Sequence, residues 1–229
     1  MINFRQQVIL CVVLLAAILL LETYTNMDLW VQNWFYSADN GWIISPEAHR
    51  RWSFIFYKGI KNLVIAAGII SLLIFAASYK LPQLQRLRRP ALLLFLSIVF
   101  VPLIVAGSKQ LTNVYCPDQL EMYGGRYPWV RVLENYPDGF VQLKRGKCFP
   151  AGHATVGFAL MMLYFCFEKR RQKIIALSAA IASGWITGIY QMLRGEHFLS
   201  HTLFTMAASW LVIIIIVQIV NRLPPANKS

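Results

Sequence analysis

An all-helical, polytopic membrane fold with six transmembrane helices is what this sequence predicts, and three observations predict it. The chain of 229 residues is 57% hydrophobic, more than an ordinary soluble domain carries. Its apolar residues gather into six runs, each close to the roughly 20 residues that a helix needs to cross a bilayer core. Its formal charge of +12 collects in short connectors between those runs. Basic charge alone would also suit nucleic acid, but apolar runs of this length argue against a nucleic-acid partner.

The first run, 6–24, reads "QQVILCVVLLAAILLLETY". It resembles a signal peptide, yet no small-x-small cleavage site follows, so a retained helix is expected. The others cover 62–79, 91–108, 151–167, 174–192 and 198–220. The fifth contains "SAAIASGWITG", whose small residues suit close packing between helices in lipid. With no repeat and no linker, residues 1–229 are expected to form a single integral-membrane domain.

Orientation follows from the connectors. "KLPQLQRLRRP" holds four basic residues and no acid, and "EKRRQK" holds four basic and one acidic. Together with Arg5, Arg222 and Lys228, these predict cytoplasmic connectors and cytoplasmic N- and C-termini. The loops 25–61 and 109–150 then face the outer side with the short turn 193–197. A bacterial inner membrane with the outer loops in the periplasm is the expected setting. The loop 25–61 is dense in Trp, Phe and Tyr, which favour the interfacial level. It either anchors the first two helices or forms a lip for lipid entry. "PDG" at 137–139 reads as a tight turn, and a loop as aromatic as 109–150 is expected to fold over something.

Cys11 and Cys166 lie in apolar runs and read as small buried hydrophobes. Cys116 and Cys148 share the second outer loop, where an oxidising compartment favours a disulfide; two free thiols are the alternative. Such a bond would contribute about 3–4 kcal/mol by loop closure.

Three segments bring ionisable groups to the outer helix ends: Lys109, "RGKCFPAGH" and "QMLRGEHFLSH". Ionisable groups at membrane depth are costly and point to function. The "AGH" turn at Ala151, Gly152 and His153 would open a helix whose free amides suit a phosphate. His197 and His201, four apart, predict one helical face, with Arg194 on the same stripe. A metal pair is the alternative there, but Lys109, Arg145, Lys147 and Arg194 would repel a divalent cation and attract phosphate. No metal and no cofactor are expected.

These segments resemble the signature of the type 2 phosphatidic-acid phosphatase superfamily, written K-x6-R-P, P-S-G-H and S-R-x5-H-x3-D. "KQLTNVYCP" carries Lys109 and Pro117, "PAGH" runs from Pro150 to His153, and "YQMLRGEHFLSH" sets His197 on the reactive histidine. Cys116 replaces the first arginine, Ala151 the serine, Tyr190-Gln191 the Ser-Arg pair, and His201 the aspartate. Setting His201 on the reactive histidine instead leaves Arg194 one residue out and Thr205 at the aspartate position, so the His197 register is preferred.

The resemblance implies a metal-independent phosphatase acting on a lipid phosphate: undecaprenyl diphosphate, phosphatidate, phosphatidylglycerol phosphate or a lipid A phosphate. His197 would form a phosphohistidine, and His153 would act as acid and then base. Lys109, Arg194, Arg145, Lys147, Gln191 and the turn at Ala151 and Gly152 would hold the phosphate, and His201 would orient His197. Glu196 is expected to point elsewhere on a helical segment. A Cys116–Cys148 bond would tie the first motif to the phosphate turn. A lipid phosphotransferase and a degenerate lipid-phosphate-binding protein are the alternatives, with a transporter ranked last because few polar residues lie mid-helix. Oligomeric state is open.

Overall fold

The computed structural model describes residues 3–222. Lys228 and both termini lie outside them. Among the described residues, five helices are long and apolar enough to cross a membrane: α1 (Phe4–Tyr24), α3 (Pro46–Ala77), α4 (Pro82–Gln110), α6 (Arg170–Met192) and α7 (Leu199–Arg222). A short helix α2 (Met27–Gln32) and a two-stranded hairpin, β1 (Tyr36–Ser37) and β2 (Gly41–Trp42), lie between α1 and α3.

The predicted fourth span is the apolar helix α5 (Gly152–Cys166), shorter than the other five. The reason is its place. Ala154, Phe158, Ala159, Met161 and Met162 are all at most 2% exposed, so neighbouring helices rather than lipid thickness set its length. α3 starts well before the predicted residue 62, because Ser45 caps it by accepting from the Ala48 amide and Pro46 occupies the first turn. The charged turn with Arg50 and Arg51 hides this start from a hydropathy reading.

Lipid-like surroundings are written on the outermost helix. In α1, Ile9, Leu10, Val12 and Val13 are exposed, and only Cys11 and Glu22 are buried. The core lies around α5, where Phe158 and Met162 meet Leu93 and Val101 of α4 and Ile213 of α7. The small residues of α6 allow its close approach. A Cβ on Gly157 would stand 2.3 Å from the Gly184 amide nitrogen, and one on Gly184 would strike the Phe158 ring at 2.2 Å.

Arg89, near the start of α4, bonds Asn221, near the end of α7, at 2.6 Å. The basic connector before α4 and the end of α7 therefore share one end of the bundle. Lys109, His153 and His197 stand at the other.

There the loop 109–150 folds over an aromatic cluster of Tyr115, Tyr123, Tyr127, Tyr136 and Phe140 with Trp42. Tyr115 and Tyr127 stack with ring centroids 3.7 Å apart. Residues 137–140 close a turn through a 3.1 Å bond from the Phe140 amide to the Pro137 carbonyl, with Gly139 at φ +81°.

Candidate active site

The turn that opens α5 sets His153. Gly152 begins it because Lys109 packs on its Cα: a Cβ there would lie 3.1 Å from Lys109 Cε and 3.3 Å from Nζ. The amide of Ala151 is spent on the His201 carbonyl at 3.3 Å, which removes Ala151 from the expected phosphate donors. The amides of Gly152 and His153 are the first two of the turn and have no intrahelical acceptor.

His197 is set differently from expectation. It does not share a helix with Arg194 and His201, because Gly195 takes φ +76° and ends the preceding turn. A side chain at Gly195 would also meet the Trp42 ring at 2.5 Å. α7 begins only at Leu199, and Asp28 of α2 caps it by accepting from the Ser200 amide at 2.8 Å and the Ser200 hydroxyl at 2.5 Å. His197 and His201 still end up side by side, each 1% exposed, with ring centroids 5.9 Å apart.

The closest contact in the site is between His153 Nδ1 and His197 Nε2, at 3.0 Å. Burial holds His197 well below the ordinary imidazole range, with Lys109 adding to the effect. A neutral ring follows, with one nitrogen donating and the other offering a lone pair. His201 makes no hydrogen bond to His197, and its buried Nδ1 has no partner among the described residues. The expected orienting bond from His201 is therefore not made.

The expected cations divide. The charges of Lys109 and Arg194 act on His153, joined by Lys61, which was not among those expected. Arg194 donates to Gln191 Oε1 at 2.8 Å and pairs with Glu196 Oε1 at 3.1 Å. Gln191 is wholly buried, and its Nε2 has no partner among the described residues. Arg145 and Lys147 are exposed, and Arg145 is turned to the Thr112 carbonyl at 3.4 Å. Glu196 does not point away as expected. The non-helical turn brings it to Arg194, and its charge also acts on Lys109.

One wall of the site comes from α3, which motif reasoning did not reach. Tyr57 sits edge-on to His153 with centroids 5.2 Å apart, and Phe56 stacks on Tyr190 at 5.7 Å. His49 Nδ1 lies 2.7 Å from the Tyr190 hydroxyl. Beside this wall runs an apolar groove of about 420 Å³, lined by Ile44, Trp52, Phe56, Ile186, Ile189 and Tyr190. The only advance signal was the aromatic density of that segment.

Cys116 and Cys148 form a disulfide with Cα atoms 5.1 Å apart. It joins the loop that follows Lys109 to the segment that leads into the turn of Gly152 and His153. The two sulfurs and a His197 nitrogen lie within 4.8 Å of one another, a spacing that would suit a metal, but both sulfurs are already spent on each other.

Fold and site together define a helical membrane protein in which a buried His197 meets a half-buried His153 beside Lys109 and Arg194. The chain belongs to the PAP2 (type 2 phosphatidic acid phosphatase) superfamily, whose family model matches residues 90–225. Members are generally phosphatases, which supports phosphate-ester hydrolysis on lipid-type phosphates in general terms. No curated protein and no solved structure matches the chain.

Proposed function

We propose that the protein is a metal-independent lipid phosphate phosphatase working through a phosphohistidine on His197. The observation that carries the reading is the 3.0 Å contact between His153 and His197 beside Lys109 and Arg194. Nε2 of His197 attacks phosphorus as the bond to the leaving oxygen breaks, and His153 gives that oxygen a proton. The phosphate's negative charge offsets Lys109 and Arg194, so His153 carries this proton in the complex. Water then attacks the phosphohistidine, His153 takes the water's proton, and phosphate leaves with His197 restored. Lys109, Arg194, Gln191 Nε2 and the amides of Gly152 and His153 hold the equatorial oxygens.

The apolar groove beside Tyr190 supports a substrate with a hydrocarbon chain, and the aromatic wall of α3 supports its entry from the interface. Basic connectors at the far end of the bundle and a disulfide at the site end support a periplasm-facing site in a bacterial inner membrane, with α5 as a sixth, short span and cytoplasmic termini.

The test is phosphate release by purified protein in detergent with chelator present. Its substrates are undecaprenyl diphosphate, phosphatidate, phosphatidylglycerol phosphate and a lipid A phosphate. Release that survives chelator and is lost in both His197→Ala and His153→Ala is the expected result. No release from any of them would sink the hydrolase reading and turn attention to a lipid acceptor or to binding alone.

A further inference from the structure

One carboxylate stands among the cations of the site. Glu196 Oε1 lies 3.1 Å from Arg194 Nη2, with the two side chains 29% and 20% exposed. Arg194 Nη1 is held by Gln191 Oε1 at 2.8 Å, so the guanidinium is pinned on one side and meets the acid on the other. The backbone pins the acid too. Its amide donates to the Gln191 carbonyl at 2.9 Å, and the Gly195 carbonyl before it accepts from the Asp118 amide at 2.9 Å. The charge of Glu196 also acts on Lys109 of α4 and on His49 and Tyr57 of α3. Glu196 is therefore placed at the edge of the space that these groups and Arg194 surround. Among the described residues its second oxygen, Oε2, makes no hydrogen bond.

A fixed negative charge in an anion site favours only an anion that can donate a proton to it. A terminal phosphate keeps an ionisable hydroxyl, with a second pKa of about 6. That hydroxyl donates to a carboxylate in a short, charge-assisted bond. A phosphodiester or a sulfate has no such proton. It turns a bare oxygen to the carboxylate and is repelled. We propose that Glu196 is a specificity-determining residue, the acceptor that reads the hydroxyl of a terminal phosphate and turns away phosphodiesters. The proposal rests on Lys109 and Arg194 being the cations that hold the substrate phosphate. Arg194 keeps its pair with Glu196 and binds a phosphate oxygen through its remaining N–H groups. The substrate class narrows accordingly. Lipids whose phosphate ends in a free P–OH are admitted, and the phosphodiester headgroups that crowd a bilayer surface are not.

The experiment compares the binding of inorganic phosphate and inorganic sulfate to full-length protein in neutral detergent, by calorimetry at pH ~6, where the phosphate carries a proton. Wild type is expected to prefer phosphate by about 10–100-fold, the worth of a hydrogen bond to a charged group. In Glu196→Gln and Glu196→Ala the preference is expected to fall to within about threefold, chiefly because sulfate binds more tightly. A gain of sulfate binding is a change that a merely damaged turn would not produce. Asp118 is the other carboxyl near Arg194 and Glu196, but it is exposed. Asp118→Asn is expected to keep the wild-type preference within about twofold, as exposed charges usually do. In turnover, phosphatidylglycerol, a phosphodiester lipid, is expected to inhibit both Glu196 variants and to leave wild type nearly unaffected.

Equal binding of the two anions by wild type overturns the proposal. So does a preference for phosphate that survives in both Glu196 variants, or the loss of both anions from both variants, which would make Glu196 a brace for Arg194 alone. An equal relaxation in Asp118→Asn overturns it as well, since the effect would then belong to net charge. Absence of phosphate release from wild type with every lipid would instead mean that the phosphatase reading has failed, and the anion preference, read without turnover, still decides the role of Glu196.

Discussion

Nδ1 of His153 stands 3.0 Å from Nε2 of His197 across 44 residues of chain. The pair is built from the first turn of α5 and the turn before α7, two segments that touch only because both helices pack in the core. Each role assigned to it has its own signature in kinetics.

If His153 is the acid, its importance depends on the leaving group. His153→Ala is expected to lower kcat by about 10²–10⁴-fold on a lipid phosphate. On p-nitrophenyl phosphate, whose leaving oxygen needs little protonation, the loss should be much smaller. His197→Ala should be inactive on both. Comparing the two substrates separates acid from nucleophile, and equal losses for His153→Ala would remove it as the acid.

The two groups of basic residues should behave unlike each other. Arg194 reaches the site through its bond to Gln191, so Arg194→Ala is expected to cut kcat/KM by about 10–100-fold, the worth of a charged hydrogen bond. Arg145→Ala and Lys147→Ala remove exposed side chains and should stay within about twofold, as surface charges usually do. Steady-state kinetics on one lipid decide this.

The acid limb of the pH profile reports His197. Burial depresses its pKa, so the ring stays neutral, and nucleophilic, at pH values where an ordinary histidine near 6.5 would be protonated. As pH falls, activity limited by this group should persist below pH ~6.5 and decline only at more acid values. A kcat/KM profile in detergent checks it. An acid limb at or above the ordinary value would contradict the buried, neutral ring.

The groove beside Tyr190 should matter to chain length alone. Ile189→Ser places a hydroxyl on its apolar lining. KM for a long-chain lipid phosphate is expected to rise several-fold, with hydrolysis of p-nitrophenyl phosphate unchanged. A shift on both substrates would mean that the change disturbs the site itself.

Packing between α5 and α6 offers a stability test. Gly157→Ala puts a methyl group 2.3 Å from the Gly184 nitrogen, a backbone atom that cannot rotate away. A loss of about 1–3 kcal/mol is expected from overpacking, read as a lower unfolding temperature in detergent.

Much of the frame was legible because lipid acts on each residue locally. The apolar runs became α1, α4, α6 and α7 close to where hydropathy put them, and "SAAIASGWITG" became the close-packed face of α6. α5 came out short, since a helix enclosed by others is free of the bilayer's length requirement. The early start of α3 was hidden by Arg50 and Arg51, although its Ser-Pro cap was there to read.

The site was legible only in part. The motifs pointed to Lys109, His153 and His197, and two cysteines in one outer loop pointed to their bond. A helical stripe through Arg194, His197 and His201 did not form, because Gly195 in its left-handed conformation breaks the segment. Breaking it is also what brings Glu196 to Arg194.

By itself, then, the sequence determined that the chain is helical and membrane-spanning, which ends of the helices carry charge, and which family its motifs belong to. These properties depend on each residue's own transfer energy or on spacing within a few turns. Only the tertiary structure decided which charged groups meet the histidines. It chose Arg194 over Arg145 and Lys147 and brought in Tyr57 from α3. It also seated Asp28 on Ser200 across 172 residues and Gln32 on the Met192 carbonyl across 160. Contacts at such separations are selected by helix packing and loop closure, and neither is written in the periodicity of any one segment.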